Sequence, residues 1–398
     1  MIIKVLTNPK TPFFLLIASL PLEFLISDTF FTLPKVLGVI AFVFFLLYSL
    51  QNKRKIKFDK TMSALFLFLI WGSLSYFWSY YKDLSLTRII TIILILIMYL
   101  LIINVVNSKK SVDELMKYSI FGGAILGFSG LYDLVQSDSL QRISGISQNS
   151  NIYFTMAIFM IPCIYWNLVI NKQRFFKIFS FIIMLVLLFT SLYTQSRGGL
   201  ISLGIFMTSY LLFTRKKFTW ISIILIIGLF ALIITPESFW NRFVDQGYYT
   251  TDRFTALWPA GVAAAKEKIL TGYGIGVSEK IMPYFLFTIY PRLSVHNSLI
   301  ALMIDLGLPG TFFYLLAIAF PTIQVFRLCC IPKKARQADL EKFGLVIFCA
   351  LLAYLASWFK SGGFEYYKYL WFLVGLESSL VLLIKKERLN IKQSDSYI

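Results

Sequence analysis

Residues 88–106 read RIITIILILIMYLLIINVV, and this run predicts the class of the protein. After Arg88 it contains no charged side chain, and its length is close to the ~20 residues with which an α-helix crosses a bilayer. Over the whole chain, 58% of residues are apolar, 15% are charged, and the mean hydropathy is +0.74. Such a composition is too apolar for one water-soluble core. We therefore predict an all-α, polytopic membrane protein.

Runs of the same kind recur along the chain and predict a bundle of about twelve transmembrane helices. Their approximate bounds are 11–28, 33–51, 61–80, 88–106, 115–135, 151–170, 175–194, 198–214, 218–235, 297–330, 342–359 and 369–384. The tenth run is too long for one straight helix. We expect it to be tilted or broken near Gly307-Leu308-Pro309-Gly310.

Clusters of Lys and Arg, such as 53–55, 109–110 and 215–217, occupy every second gap between the predicted spans. Because cytoplasmic loops collect basic residues, this pattern places both termini in the cytoplasm. The net charge of +18 is then a topology signal, reinforced by anionic membrane lipids, and no nucleic-acid partner is needed to explain it. The first apolar run lacks a small-x-small cleavage site, so we interpret it as a retained helix.

This topology divides the chain into three parts. Residues 1–235 would form spans one to nine, residues 236–295 a large extracytoplasmic loop, and residues 296–398 spans ten to twelve with a cytoplasmic tail. Within the loop, apolar positions of residues 253–269 recur at helical spacing, which predicts an amphipathic helix with Asp252 as its N-cap. Such a helix would lie over the membrane domain and roof a cavity.

The single histidine of the chain, His296, lies where the long loop meets span ten. An imidazole exchanges protons near neutral pH, which makes His296 the first candidate for chemistry. The alternative, a helix cap or packing residue, is more common for a lone histidine at a helix start. Its neighbours on the outer face favour the functional interpretation.

Arg197 is a second candidate, at the outer end of span seven. An arginine is costly near hydrocarbon and favours an anion as its partner, and the helix that starts at Gly198-Gly199 points its amides to the same place. A snorkelling arginine explains Arg197 alone equally well. The outer segment 142–151 offers amides and hydroxyls suited to sugars, or is a solvated loop capped by Asn149 or Asn151. The glycines of 272–276 permit tight turns or a close approach to a ligand.

Several classes of chemistry lack their motifs in this sequence. It has no paired carboxylates at hydrolase spacing, no nucleotide-binding glycine loop and no His/Cys set with metal-ligand spacing. The four cysteines fall within spans or at a cytoplasmic end and are interpreted as packing residues. We expect chemistry without metal, cofactor or nucleotide on a lipid-anchored substrate that carries phosphate. Arginines would hold the phosphates, and histidine would deprotonate an acceptor.

Three motifs, taken together, closely resemble the O-antigen ligase and polymerase family of Wzy type. They are Thr194-x-Ser196-Arg197-Gly198-Gly199-x-x-x-Leu203, Arg253 with Trp258 and Gly272-x-Gly274-x-Gly276, and His296-Asn297 followed by Leu299, Leu302 and Leu306-Gly307. The resemblance covers roughly residues 140–315 and includes the segment from Arg142 to Asn151. It departs at Asp305, where the family more often has glutamate, and in Gln148-Asn149-Ser150-Asn151, which lacks the family's proline.

The resemblance implies a GT-C-type glycosyltransferase of lipopolysaccharide or polysaccharide biosynthesis in the bacterial inner membrane. It would move a glycan from undecaprenyl pyrophosphate to an acceptor hydroxyl on the extracytoplasmic face, with inversion and without metal. Arg197 and Arg253 would bind the pyrophosphate and stabilise the leaving group, and His296 would be the general base, oriented by Asn297. The substrate-binding residues would be Arg142, Asn149, Asn151, Ser196, Gly198, Gly199, Trp258, Gly274 and Asn297.

The residues leave alternative functions open. A ligase and a polymerase would share this site and differ in acceptor, which is lipid A core or another surface acceptor for the ligase and a second lipid-linked glycan for the polymerase. The compact length and one dominant outer loop favour a ligase. A flippase for lipid-linked oligosaccharides, or another secondary transporter, would also hold an anionic cargo, but the sequence shows no two-half symmetry. A non-catalytic scaffold of a polysaccharide assembly complex is the third alternative.

Overall fold

The computed structural model describes residues 9–24, 32–136, 142–214, 217–219, 221–222, 225, 228, 253–288, 292–331, 338–360 and 367–395. Every regular element in these ranges is a helix, which confirms the all-α prediction for the described part of the chain. In chain order the α-helices are α1 (Lys10–Ala18), α2 (Leu33–Gln51), α3 (Lys60–Ser75), α4 (Lys82–Val105), α5 (Lys109–Gln136), α6 (Ser150–Tyr165), α7 (Arg174–Tyr193), α8 (Arg197–Phe213), α9 (Trp258–Glu267), α10 (Ser278–Leu286), α11 (Ser298–Val325), α12 (Asp339–Lys360) and α13 (Lys368–Asp395).

Seven helices of the described residues are long and apolar enough to cross a membrane. They are α2, α4, α5, α7 and α12, with α6 and α11 extended by one π-helical turn each, to Ile170 and Cys330. The helices α3 and α8 are apolar but shorter. All nine coincide with predicted spans. Most of the predicted span 218–235 lies outside the described residues, so the count of twelve stays a prediction.

The first predicted span, 11–28, is wrong as a single helix. The helix α1 ends at Ala18, and a short 3₁₀ turn, Leu20–Phe24, follows it. Pro21 lies in this turn and has no amide hydrogen to donate, so an α-helix cannot continue through it without losing a bond.

The buried core joins nearly all the long helices. The most extensive pairs are α11 with α3 and α12 with α8, followed by α1 with α2, α5 with α7 and α13 with α4. Large aromatic side chains such as Tyr314, Trp371 and Phe159 lie almost wholly inside. The helix α2 presents Val39 and Leu47 outward, 49% and 44% exposed, as expected of a helix that faces lipid.

The helix α11 is broken at Gly307, as predicted. Gly307 has φ 63° and ψ −165°, a conformation that only glycine adopts readily. Pro309 follows it and offers no amide donor. The backbone groups freed by the break have partners elsewhere: the indole of Trp71 donates to the carbonyl of Leu306 at 2.8 Å, and the amide of Leu308 donates to the carbonyl of Ile269 at 2.8 Å.

The outer segment, residues 253–288, packs over the first half of α11 and has a small hydrophobic core with it. The predicted amphipathic helix is present as a π-helical turn, Arg253–Leu257, followed by α9. Its buried face is narrower than predicted, because Val262 and Ile269 are 40% and 42% exposed. The predicted N-cap, Asp252, lies outside the described residues.

Asp305 ties this outer segment to α11. Its buried carboxylate accepts hydrogen bonds from the amides of Gly276, Val277 and Ser278 at 2.8, 2.9 and 2.7 Å. These amides lead into the N-terminus of α10, where a negative charge is favourable. Asp305 is therefore a buried polar contact near the helix break.

Candidate functional site

The segment that begins at Arg142 is joined to the start of α8 by side-chain hydrogen bonds. The Nε of Arg142 donates to the carbonyl of Thr194 at 2.6 Å, and its Nη2 donates to Oδ1 of Asn151 at 3.1 Å. The hydroxyl of Ser196 donates to the same Oδ1 at 2.7 Å and accepts from the amide of Gly199, which caps α8. The structure thus brings together three of the predicted substrate-binding residues, Arg142, Asn151 and Ser196.

The paired glycines at the start of α8 have different surroundings. A Cβ atom at Gly199 would overlap the ring of Phe154, so this glycine is needed for helix packing. A Cβ atom at Gly198 would lie 3.3 Å from Nζ of Lys360, at the end of α12. Gly198 therefore marks the place where an ammonium group reaches the N-terminus of α8.

Three cations from three separate segments meet at this place. Arg253, before α9, donates from Nη1 to the carbonyl of Lys360 at 3.5 Å. Burial lowers the pKa of the Arg253 guanidinium, and the charge of Arg197 lowers it further. Lys360 is within electrostatic range of both arginines. Like charges held this close repel one another, which favours an anion between them.

His296 lies beside Arg253. Burial lowers the pKa of its imidazole, and the positive charge of Arg253 lowers it further. The imidazole is therefore neutral at neutral pH and able to accept a proton. The backbone of His296 has φ 51°, a left-handed conformation that costs energy in most residues, and its amide donates to the hydroxyl of Ser294 at 3.2 Å. We call Arg197, Arg253, His296 and Lys360 the cationic site.

Asn297 and Asn149 cap helices. The Oδ1 of Asn297 accepts from the amides of Leu299 and Ile300 at 3.0 and 3.1 Å, and its side chain is nearly wholly buried. The Oδ1 of Asn149 caps α6 in the same way. A capping asparagine fixes the direction from which the chain enters the helix. Asn297 thus fixes the backbone next to His296, and a substrate contact by either asparagine stays a prediction.

The glycine run of the outer segment approaches other parts of the protein. The amides of Tyr273 and Gly274 donate to the carbonyls of Ile304 and Asp305 at 2.9 Å each, and a Cβ atom at Gly274 would lie 2.5 Å from that of Ser79. Gly274 is packed between α11 and the connection from α3 to α4, so protein atoms fill the space that the glycine leaves open. Its predicted substrate contact has no support in this geometry.

Trp258 lies next to the cationic site. Its ring packs against Phe254 and Phe359, with centroids 4.7 and 6.0 Å away. The indole Nε1 is buried and has no hydrogen-bond partner among the residues that the structure describes. Because buried donors are normally paired, this group is suited to a ligand or water acceptor beside Lys360.

An apolar cavity of about 210 Å³ lies along the middle and second half of α8. It lies between α6, α7 and α8, and its lining includes Phe154, Leu187, Leu203 and Phe206. One lining residue, Phe154, also packs on Gly199, two residues after Arg197, and the first α8 residue in the lining is Leu203. A hydrocarbon chain would fit its lining.

Lys360 is the member of the cationic site that sequence reasoning missed. It follows the predicted span 342–359 directly, where a lysine reads as a snorkelling end group. The sequence did carry one indication of its role. Lys360 lies on the predicted extracytoplasmic side, where the predicted loops hold few lysines. Among the described residues, no group of three or more His, Cys, Asp or Glu side chains is placed to hold a metal ion.

The comparison with protein families agrees with this geometry. Residues 182–315 match the family described as O-Antigen ligase, which confirms the family resemblance over this range. The matched range begins in α7, contains Arg197, Arg253 and His296, and ends in the second half of α11. It supports an O-antigen ligase- or polymerase-type function in a membrane. No curated protein matches the chain.

Proposed function

We propose that this chain is an O-antigen ligase-type glycosyltransferase of the bacterial inner membrane, which transfers a glycan from undecaprenyl pyrophosphate to an acceptor hydroxyl on the extracytoplasmic face. The observation that carries the proposal is the meeting of Arg197, Arg253 and Lys360 beside a partly buried imidazole. Three converging cations suit a polyanion, and pyrophosphate is one. The match of residues 182–315 to the O-antigen ligase family supports the same assignment.

The apolar cavity beside α8 supports a lipid-linked donor. Its lining includes Phe154, which packs on Gly199 at the start of α8, and is almost entirely aliphatic and aromatic. A polyprenyl chain in this cavity would place its pyrophosphate at the cationic site. Burial of the chain would then contribute binding energy far from the reacting bond.

His296 would accept the proton of the acceptor hydroxyl. The lowered pKa keeps its imidazole neutral before the donor arrives. The bound pyrophosphate then places negative charge beside the ring, which raises the pKa of the imidazole again. The substrate thus makes the base stronger at the moment when it is needed.

In the proposed step, the acceptor oxygen attacks the anomeric carbon while its proton passes to His296. The bond between the anomeric carbon and the phosphate oxygen breaks, and its electron pair leaves with undecaprenyl pyrophosphate. Arg197, Arg253 and Lys360 would stabilise the charge of this leaving group. Attack from the side opposite to the leaving group inverts the anomeric centre.

Purified protein tests the proposal with a defined donor. Wild type, His296→Ala and the control Arg292→Ala, an exposed arginine near His296, are each given undecaprenyl-pyrophosphate oligosaccharide with and without lipid A core. The products are resolved on a gel. We expect one core-linked product from wild type and control, and almost none from His296→Ala.

The other possible results of this assay distinguish between the alternative functions. A ladder of products without added core would assign a polymerase, which would use the same residues. Normal transfer by His296→Ala would contradict the role of the base. No product from wild type, with a donor that another transferase consumes, would favour a transporter of lipid-linked glycans.

A further inference from the structure

A second cavity, of about 650 Å³, lies at the opposite end of α9 from Arg253. We call it the tyrosine cleft, after its lining residues Tyr80, Tyr81, Glu267, Tyr273, Tyr284 and Phe287. They come from the connection between α3 and α4, from the end of α9 and from the region of α10. None of them belongs to the cationic site.

The rings at the mouth of the tyrosine cleft are unusually exposed. Tyr80, Tyr284 and Phe287 are 80%, 65% and 95% exposed. A cluster of exposed aromatic side chains around a cavity marks a binding surface. Tyrosine offers a flat apolar face that packs against the C–H groups of a sugar ring, and a hydroxyl that bonds to the sugar's polar edge.

Tyr273 supplies a polar group at the base of the cleft. Its side chain is 7% exposed, and its hydroxyl interacts with the carboxylate of Glu267. Burial, together with the nearby carboxylate of Glu267, raises the pKa of Tyr273 to about 12, so the hydroxyl keeps its proton. The hydroxyl of Tyr273 and the carboxylate of Glu267 together give the base of the cleft polar groups that suit the hydroxyls of a sugar.

The walls of the cleft are held in place before any ligand binds. The Nζ of Lys268 lies 5.4 Å from the ring centre of Tyr80 and 4.5 Å from that of Tyr273. The hydroxyls of Tyr81 and Tyr284 are 3.1 Å apart. Rings that are already fixed lose little freedom when a ligand binds, which favours affinity.

We propose that the tyrosine cleft binds the saccharide chain of the substrate, several sugar units from the reacting bond, an inference that rests on the proposed function. From Arg253 to Glu267 the helix rises roughly 20 Å, at ~1.5 Å per residue. A chain along α9 would therefore reach both sites. The carboxylate of Glu267 favours sugar hydroxyls as its partner over hydrocarbon or phospholipid phosphate.

Direct binding tests the cleft without any transfer. The probe is the lipid-free oligosaccharide released by mild acid from the donor of the transfer assay, titrated by calorimetry into detergent-purified protein. We expect Tyr284→Ala to weaken binding about tenfold, the effect of losing one well-packed aromatic contact. Tyr284→Phe, which keeps the ring, should lose less. The matched control is Tyr132→Ala, because Tyr132 is 66% exposed and lies outside the cleft.

Transfer assays then distinguish the two sources of saccharide. Donors and acceptors that carry one or several repeat units are compared in wild type and Tyr284→Ala. A rise in KM for the long donor alone assigns the cleft to the transferred glycan, and a rise for the long acceptor alone assigns it to the acceptor. In either case kcat with short substrates should not change.

Two results would overturn the inference. One is binding of the oligosaccharide by Tyr284→Ala and Tyr80→Ala as tight as by wild type. The other is normal binding with a lowered unfolding temperature in lipid nanodiscs, relative to Tyr132→Ala, which would assign the tyrosines to the membrane interface. Failure of the proposed function looks different: wild type would bind the oligosaccharide through Tyr284 and transfer nothing.

Discussion

The two ends of α9 offer opposite kinds of chemistry. At one end, Arg253 meets Arg197 and Lys360 around the imidazole of His296. At the other, Glu267 faces a cleft lined by tyrosines, and the ammonium of Lys268 packs on the rings of Tyr80 and Tyr273. A charge that forms during a reaction needs fixed countercharges, whereas a neutral chain needs rings and hydroxyls. The difference indicates that reaction and substrate selection are separable in this protein.

Replacing His296 should give the largest loss of activity. It should also show most clearly whether the two ends of α9 act independently. We expect His296→Ala to lower kcat by on the order of 10²–10⁴, the usual contribution of a general base, and to leave oligosaccharide binding at the cleft unchanged. His296→Asn should lose activity to the same extent as His296→Ala. Asparagine adopts the left-handed backbone conformation of residue 296 more readily than alanine does. Turnover and titration calorimetry measure the two quantities. Equal losses of both would show that the two ends are not independent.

Removing one positive charge should come next. We expect Arg253→Gln and Lys360→Gln each to lower kcat/KM by on the order of 10²–10³, as when one group that stabilises a leaving charge is lost. Arg292→Gln removes an exposed charge outside the site and serves as the control. Initial rates with a short-chain donor report the effect. A loss confined to long-chain donors would instead link these cations to chain binding.

The pH profile tests the link between Arg253 and His296. The reaction needs a neutral imidazole, so kcat/KM falls as the pH drops through the pKa of His296. Burial and the charge of Arg253 hold this pKa below its usual value, which keeps wild type active at mildly acidic pH. We expect Arg253→Gln to move the acidic limb to higher pH. A limb that stays in place, or moves to lower pH, would contradict the coupling.

Weakening the Asp305 anchor should affect both ends of α9 together. We expect Asp305→Asn to lower the free energy of unfolding by about 2 kcal/mol, because a neutral amide replaces a carboxylate that accepts three amide hydrogen bonds. The control Asp339→Asn breaks an exposed ion pair with Lys109 and should cost much less. Thermal unfolding in detergent measures both. An Asp305→Asn protein as stable as this control would show that the anchor contributes little.

A chelator should give the smallest effect. The sequence predicts chemistry without a metal ion, so we expect EDTA to leave the rate of transfer unchanged at both short and long donors. The measurement is the initial rate with and without EDTA, followed by added Mg²⁺ or Mn²⁺. Loss of activity that a divalent ion restores would contradict the prediction and would direct attention to the carboxylate of Glu267.

Features that depend on neighbouring residues were predictable from the sequence. The run 88–106 predicts α4 because hydropathy and length are local properties. The break at Gly307 follows from a glycine and a proline within three residues. The first span was wrong because the hydropathy of 11–28 outweighed Pro21. Arg197 was identified by the cost of an arginine near hydrocarbon, His296 as the single imidazole of the chain, and Arg253 by the family resemblance.

Features that depend on distant segments were not predictable. Lys360 joins the cationic site through the packing of α12 on α8, and no local pattern contains that contact. The tyrosine cleft draws Tyr80 and Tyr284 together from positions about half the chain apart. Tyrosines near a predicted membrane boundary read individually as interface residues. Only the fold shows that these tyrosines line one shared cavity and are not separate residues at the membrane interface.

The hydrogen bonds across the break of α11 also set an order for biosynthesis. Tyr273 bonds to Ile304, and Ile269 to Leu308, so the outer segment closes on a helix that the ribosome makes after it. The outer segment therefore emerges before its support exists and cannot complete its own core until the start of α11 has been inserted. Until then His296 has no fixed position beside the arginines. Because Lys360 lies at the end of α12, the cationic site is complete only when synthesis has passed both the helix break and the end of α12.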